Sequence, residues 1–523
     1  MIDVVIAGAG PNGLMLAGEL GLAGVRPIVL DPMPGPNALL RRANGIIGQG
    51  VRILDHRGLY SVLADTDQPP QLSPRAMFAA FPLDLALVPD PQVFLLAVQQ
   101  PRLVQVLADR ARDYGADIRW GHGLTGFDQH DDGVTIHVAG PDGPYDLTAK
   151  YLVGADGGTS KTRKLAGIDF PGMSSYDLIA RMGFDVLPPD EWIDPDSGGL
   201  DIPGYGRVPP LQFHRADQGV FACGALGGRT AVIVFELDRS AREDPRDDVG
   251  DEPPMSLPEL EAAAKRVLGV DVPLRPAVDD GDTPLDLRRF SGINSRIASR
   301  YQAGRVILVG DAAHVHSPMG GPGLNLGLQD AVNLGWKLAV VVRGRVEPGL
   351  LATYEAERRP AAERVIMHSR AQLALVRPGP EVTALRELFS EIVTDPEIVR
   401  RLSDLISGAE NHYAAGPDAH PLVGYWVPDF AVAADGRERR VAELARDGRP
   451  LLIDLTDGGA VSAAVSDIAD QLTVAAGQTV GEVAATALLV RPDGYVGWAS
   501  SSAVPDAGEL RTLRDTLAQW FGI

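Results

Sequence analysis

Gly8, Gly10 and Gly13 in the run Gly8-Ala9-Gly10-Pro11-Asn12-Gly13 stand at the spacing of a turn that cradles a pyrophosphate. Gly8 would make the tight turn, Gly10 would let a phosphate approach the backbone, and Gly13 would let a helix pack on a strand. The anion would sit on the helix N-terminus, where free N–H groups and the dipole favour negative charge. Asp31 lies 23 positions after Gly8 and is placed to accept hydrogen bonds from an adenosine ribose. A second chemistry-bearing segment is Gly154-Ala155-Asp156-Gly157-Gly158-Thr159-Ser160, with Arg163 three residues further on. A third is Gly310-Asp311-Ala312-Ala313-His314, followed by Pro318-Met319-Gly320-Gly321-Pro322-Gly323-Leu324-Asn325. It delivers an acid and then a glycine-rich helix start, both aimed at a polar group. Two such sites, far apart in sequence, suit one elongated cofactor: pyrophosphate at the first, ribityl chain and flavin at the second. FAD fits that description better than NAD.

The elements that must position these groups are legible around them. Residues 2–7 read as a buried strand, 14–22 as a helix stopped by Gly24, and 27–30 as a second strand ending at Asp31. Tyr151–Gly154 and Arg305–Val309 read as strands delivering acids at their C-terminal ends, where open α/β sheets bind ligands. A long helix runs from Leu326 to about Val342. Segments 183–187, 211–214, 219–225 and 230–237 read as strands of a second, mostly antiparallel sheet expected to roof the flavin. Glu243–Pro254 reads as a solvated acidic loop, followed by a helix with the capping box Ser256-x-x-Glu259. Beyond helices at 351–412, strands at 450–455, 486–490 and 495–499 precede a helix at 509–521.

Composition excludes several classes. The chain of 523 residues carries 48 basic and 69 acidic side chains, a net charge of −21. Neither nucleic acid nor an anionic bilayer is an expected partner for so acidic a surface. The single cysteine, Cys223, excludes internal disulfides, a CxxC pair and cysteine-rich metal sites, and no metal is expected. The same cysteine usage leads us to expect a cytoplasmic protein; the opening Ile2-Asp3-Val4-Val5-Ile6 has no basic n-region and does not read as a signal peptide, and no apolar run reaches membrane-span length. His314 and His316 invite an acid–base reading, but bonding within the loop is the expectation; Cys223 reads as a small buried apolar residue.

The motifs at 8–13, 154–163 and 310–339 together resemble those of the class A FAD-dependent monooxygenases, in the branch that tailors aromatic polyketides and antibiotics. Tetracycline, anthracycline and angucycline hydroxylases and rifampicin monooxygenases belong to that branch. The likeness extends to Tyr354–Pro360, His420–Gly424 and Arg491–Tyr495. It implies an α/β fold: a Rossmann-like FAD domain (1–73, 98–175 and 282–378) and an inserted substrate-binding sheet domain (74–97 and 176–281), as in p-hydroxybenzoate hydroxylase. It also implies a helical connector (379–428) and a thioredoxin-like C-terminal domain (429–523) that lacks CxxC.

For the cofactor, the resemblance implicates Gly8, Gly10, Pro11, Asn12, Gly13, Asp31, Arg42, Gln100, Asp156, Gly157, Arg163, Gly310, Asp311, Pro318, Gly321, Gly323, Leu324 and Asn325. Phe213, Phe221 and Met319 are candidate substrate contacts, and no side chain is assigned as nucleophile. The reaction implied consumes NAD(P)H, with NADPH favoured, and O₂; it transfers one oxygen atom from C4a-hydroperoxyflavin to a polycyclic aromatic. Baeyer–Villiger oxygenation of a polyketide ketone, inactivation of an antibiotic, and a non-oxygenating flavin protein stay open, as does a homodimer. Two departures stand out: Gly48-Gln49-Gly50 where relatives carry an arginine, and Pro322 where they carry glutamine.

Overall fold

In the computed structural model, the described residues are 1–36, 45–210, 212–226, 229–237, 254–277, 285–434 and 436–523. Arg42 and most of the acidic loop 243–254 lie outside them. Strands 2–7, 28–31, 117–120, 143–154 and 306–308 form the parallel body of an eight-stranded sheet, with 2–7 at its centre. The central strand is almost wholly buried, as expected of a parallel strand with both faces covered. Helix Pro11–Leu22 has Pro11 at its first position, where the missing N–H has no helical partner to lose.

A second sheet of six antiparallel strands runs in the order 214–216, 219–226, 229–237, 172–184, 286–297, 314–315. Its membership differs from the sequence expectation. Residues 286–297, expected within the flavin unit, pair along most of their length with 172–184 at the middle of this sheet. The strand expected at 183–187 is the tail of that long strand plus a separate two-residue piece. The strand expected at 211–214 runs at 214–216. His314–Val315 closes the edge, so the third motif borders both sheets.

Helix Leu257–Leu268 covers the outer face of this sheet. Its Ser256 hydroxyl accepts from Glu259 N–H at 3.4 Å, but the reciprocal half of the expected capping box is absent. The Glu259 carboxylate pairs instead with Arg181 and Arg289 of the sheet, which together bring its pKa to about 2.

The C-terminal segment builds a four-stranded sheet in the order 473–476, 451–454, 487–490, 496–500. One parallel pair is followed by an antiparallel hairpin and helix Ala507–Phe521, close to the elements expected from sequence. Its core is continuous with that of the first sheet: Leu14, Trp336, Tyr354, Val427, Leu489 and Phe521 belong to one buried cluster. No helix among the described residues is long and apolar enough to cross a membrane.

Candidate functional site

The parallel register gathers the three motifs at one edge. Ala7 pairs with Gly154, and Gly154 with Leu308, so Gly8, Ala155 and Val309 follow side by side at the strand ends. Leu30 also pairs with Ala7, which brings Asp31 to the same edge. Backbone bonds tie the exits: Gly8 N–H to Leu30 O at 2.7 Å, Ala155 N–H to Ala7 O at 2.7 Å, and Val309 N–H to Gly154 O at 3.0 Å.

Gly8 has φ +111°, and a Cβ there would fall 2.4 Å from the Ala155 carbonyl oxygen, so the first two motifs touch through a residue that must be glycine. A Cβ on Gly13 would fall 2.0 Å from Gly8 O, the close helix–strand approach read from its spacing. Gly10 differs. Nothing lies within 4 Å of its Cβ position, and as N-cap of helix 11–22 it leaves the helix end without a side-chain cap. That end is open to an anion.

Asp31 accepts Ala9 N–H at 2.8 Å and Met33 N–H at 2.9 Å, which steers its carboxylate beside the turn. Asn12 wedges between the first and third motifs. Its amide nitrogen would lie 2.0 Å from a Cβ on Gly310 and 2.2 Å from one on Gly327, and its Oδ1 is buried without a partner. Gln100 begins helix Gln100–Asp113, just after a strand paired with 45–47.

The two other acids are used differently. Asp156 is saturated by its own turn, accepting from Ser160 Oγ at 2.5 Å, Thr162 N–H at 2.8 Å and Thr162 Oγ1 at 2.9 Å. Arg163 donates to Ala312 O at 2.8 Å and Gly158 O at 3.0 Å, with its guanidinium 3.7 Å from the Phe170 ring centre. It fastens the second motif, which includes Gly157, to the third. Asp311, half-buried, accepts no hydrogen bond from the described residues. Its carboxylate is free to bind.

Behind Asp311 lies a buried network that sequence reasoning missed. Asp330 accepts from Arg358 Nε at 2.8 Å and Gly310 N–H at 3.3 Å, and bonds His314 Nε2 at 2.6 Å. Burial would raise the Asp330 pKa, but His314 and Arg358 outweigh it and hold the group below its ordinary range. His314 thus bonds across to helix 322–342 and not within its loop, whereas His316 Nδ1 bonds Ser317 O of the loop at 2.8 Å. Asp330 and Arg358 lie inside segments that carry the family resemblance, but their pairing spans 28 residues and had no local signal.

Helix Pro322–Val342 begins beside this acid, with Gly320 and Gly321 both at positive φ and Pro322 at its first turn. Proline there removes one outward N–H without breaking a helical bond. Asn325 braces the start, accepting Ile47 N–H at 2.8 Å and donating to Gly321 O at 3.0 Å. Gly50 would place a Cβ 2.5 Å from Asn325 Oδ1, and Gly48 one 2.2 Å from Ser407 O. The Gly48-Gln49-Gly50 departure is therefore a close packing of Gly48 on the Ser407 backbone and of Gly50 on the Asn325 and Ile46 side chains, with the buried Gln49 Oε1 left unpartnered. Pro318, Gly323 and Leu324 lie on this same loop and first helical turn.

An apolar cluster adjoins the loop. Met319 is buried in it with Phe78, Phe81, Leu178, Ala180 and Phe235; Phe213 packs against it edge-on to Phe235 at 5.6 Å. Phe221 is a correction. It is fully buried in a different cluster, with Cys223, Val232 and Leu260, beneath helix 257–268. Strand alternation turns Phe221 outward and its neighbour Val220 toward Met319. Burial pushes the Cys223 thiol up to about 12, leaving it inert. Among the described residues no cluster of His, Cys, Asp or Glu could hold a metal.

An uncapped helix end with open space at Gly10, an orphaned Asn12 Oδ1 and an unbonded Asp311 in line with it fit an elongated cofactor with phosphate and hydroxyl groups. The comparisons agree. Residues 1–369 match the family model "FAD binding domain", and 420–523 match "Aromatic-ring hydroxylase, C-terminal". The chain is 38% identical over 534 residues to a 12-dehydrotetracycline 5-monooxygenase/anhydrotetracycline 6-monooxygenase of Streptomyces rimosus, covering 99% of both chains. It is 34% identical over 526 residues to a dialkyldecalin synthase of Streptomyces rugosporus, covering 99% of this chain and 98% of that one. The solved anhydrotetracycline hydroxylase of Streptomyces rimosus superposes with a TM-score of 0.83 at 36% identity, covering 100% of this chain and 99% of that one.

Proposed function

This chain belongs to the FAD-binding aromatic-ring hydroxylases, a family of flavin monooxygenases, and from that membership we propose that it consumes NAD(P)H and O₂ to oxygenate a bulky polycyclic aromatic. The observation that carries the reading is the alignment of Gly10, Asp31 and Asp311 along one sheet edge, with an apolar cluster under the second sheet beside them. When bound, the flavin would supply the redox chemistry, hydride acceptance from a nicotinamide and activation of O₂.

The residues hold and shield. The 11–22 helix end would bind the pyrophosphate, Asp31 the ribose and Asp311 the ribityl hydroxyls. The N-terminus of helix 322–342 would meet the polar edge of the ring, with Gly323 and Leu324 facing it and Asn325 fixing the turn. Met319 and Phe213 would line the aromatic's side, where the apolar cluster beneath the second sheet would keep water out. We read the first sheet as Rossmann-like, the second as the roof of a p-hydroxybenzoate-hydroxylase-like architecture, and the C-terminal sheet as thioredoxin-like without redox function. Because there is a single GxGxxG, the nicotinamide would visit rather than reside, in a cytoplasmic enzyme.

The protein is expected to purify yellow. A polycyclic probe that it turns over, with anhydrotetracycline the first to try, should speed anaerobic flavin bleaching by NADPH at least about tenfold, a coupling of about 1.4 kcal/mol. Equal reduction rates with and without a turned-over probe would show that the bound aromatic does not control flavin reduction. A relative named as a synthase supports a second reading, a bound flavin without oxygenation. Probe-stimulated O₂ uptake with a product 16 mass units heavier would exclude it.

A further inference from the structure

Resting on the flavoenzyme reading, we propose that Gln372 is a positioning residue that clamps the glycine-rich 320–325 loop to a strained turn at Ala79-Ala80 and so sets the ring end of the cofactor site.

The hairpin of strands Arg75–Phe78 and Phe81–Asp84 turns through two alanines, with φ +51° at Ala79 and +63° at Ala80. A two-residue turn with both central residues left-handed favours Asn-Gly, and residues bearing a Cβ persist there only when their surroundings hold them. These surroundings are specific. Ala79 is 1% exposed, and its N–H donates to Gln372 Oε1 at 3.1 Å. Its carbonyl accepts from Arg386 Nη1 at 2.6 Å, and that of Ala80 from Arg386 Nη2 at 3.3 Å.

The bond from Ala79 fixes which way the Gln372 amide faces. With Oε1 committed, Nε2 must donate to His368 Nδ1, 3.2 Å away. Burial, with His316 and Arg364 nearby, pushes the His368 pKa down to about 4, so its ring stays neutral and Nδ1 stays an acceptor. The same amide bears on the loop from behind. A Cβ on Gly320, which has φ +84°, would meet Gln372 Nε2 at 2.8 Å and Oε1 at 3.3 Å. One side chain is therefore bonded to the turn on one side and packed closely against the loop on the other. On either side of the turn, Phe78 and Phe81 belong to the same buried cluster as Met319, the residue before Gly320. Gln372 thus joins the wall of the apolar cluster to the loop that would face the flavin ring. It has no hydrogen bond to the first or second motif, so its influence belongs to the ring end and not to the adenine end.

The test uses purified apoprotein titrated with two probes, FAD and ADP-ribose, which shares only the adenine end. Gln372→Leu is expected to weaken FAD at least fivefold, leave ADP-ribose within twofold, and alter the vibronic shape of the bound-flavin absorbance. Gln372→Glu keeps an acceptor for Ala79 N–H, and a proton moved to His368 Nδ1 restores the second bond, so FAD affinity should return to within twofold of the parent. Gly320→Ala, which crowds the amide from the loop side at a position of φ +84°, should repeat the Gln372→Leu pattern. Wild-type FAD affinity and spectrum in Gln372→Leu would overturn the proposal. Equal losses for FAD and ADP-ribose would also overturn it, since that is the mark of general damage. Should Gln372→Leu fail to fold, Gly320→Ala decides between the same outcomes. A parent protein that binds ADP-ribose but not FAD would instead defeat the flavoenzyme reading.

Discussion

Replacing Glu357 with leucine is expected to cost about 3–5 kcal/mol of stability, the usual penalty for stranding buried partners of opposite charge. Glu357 accepts from Lys337 Nζ at 2.6 Å, from Arg491 at 2.8 and 2.7 Å, and from Asn333 Nδ2 at 2.7 Å. Lys337 is completely buried and Arg491 nearly so, wedged against Trp336, Tyr413 and Trp520. Asp493 would still neutralise Arg491, at 2.5 Å, but Lys337 would lose its only carboxylate partner among the described residues. This cluster is the seam between the first sheet and the C-terminal segment. Deleting the chain beyond Asp429 removes Arg491 and Asp493 together, and it is expected to give insoluble protein for the same reason.

Urea unfolding of the Glu357→Leu variant checks the first value; a loss below about 1 kcal/mol would mean the cluster relaxes or admits water. Glu397→Gln, at an exposed surface pair, is the control and should change stability far less than Glu357→Leu does. The acid limb gives a second check. Burial would raise the Glu357 pKa, but Arg491 and Lys337 outweigh it and bring it to about 2, below its ordinary 4.5. A depressed carboxylate contributes its stability fully above 4.5 and loses it as pH falls toward 2, so the variant should flatten that limb.

The seam shows where sequence reading reaches its limit. Strand ends, glycine spacings and the acids after them were legible because each is a local pattern with one geometric solution: a Gly8 that meets Ala155 O admits nothing larger. The parallel strands then brought the motifs together without further information. Partnerships across the fold were not legible. Arg491 and Glu357 are 134 positions apart, and nothing near either names the other. Residues 286–297 escaped assignment to the second sheet because arginines at 288 and 289, bound to Asp286 and Glu259, blur the apolar alternation. Phe221 failed differently: alternation defines two faces of a strand, but only the covering helix decides which one faces the site.

Asp311→Ala is expected to weaken FAD by roughly 10- to 150-fold, the loss of a charged hydrogen-bond acceptor worth about 1.5–3 kcal/mol. The contrast with Asp156 makes this a test of role and not of fold. Both acids follow parallel strands whose ends are in register at Gly154 and Leu308. Asp156 spends its carboxylate on Ser160 and Thr162, so its removal frees two hydroxyls and an N–H in a turn that Arg163 ties to Ala312. Asp156→Ala should therefore lower the melting temperature of the apoprotein. Asp311 has no such bonds to lose, and its alanine variant should melt as the parent does when FAD is absent. The two then diverge once FAD is added: the parent gains thermal stability by linkage, and Asp311→Ala gains much less at the same concentration. Full flavin occupancy in purified Asp311→Ala, or an apoprotein as destabilised as that of Asp156→Ala, would take the ribityl role away from Asp311.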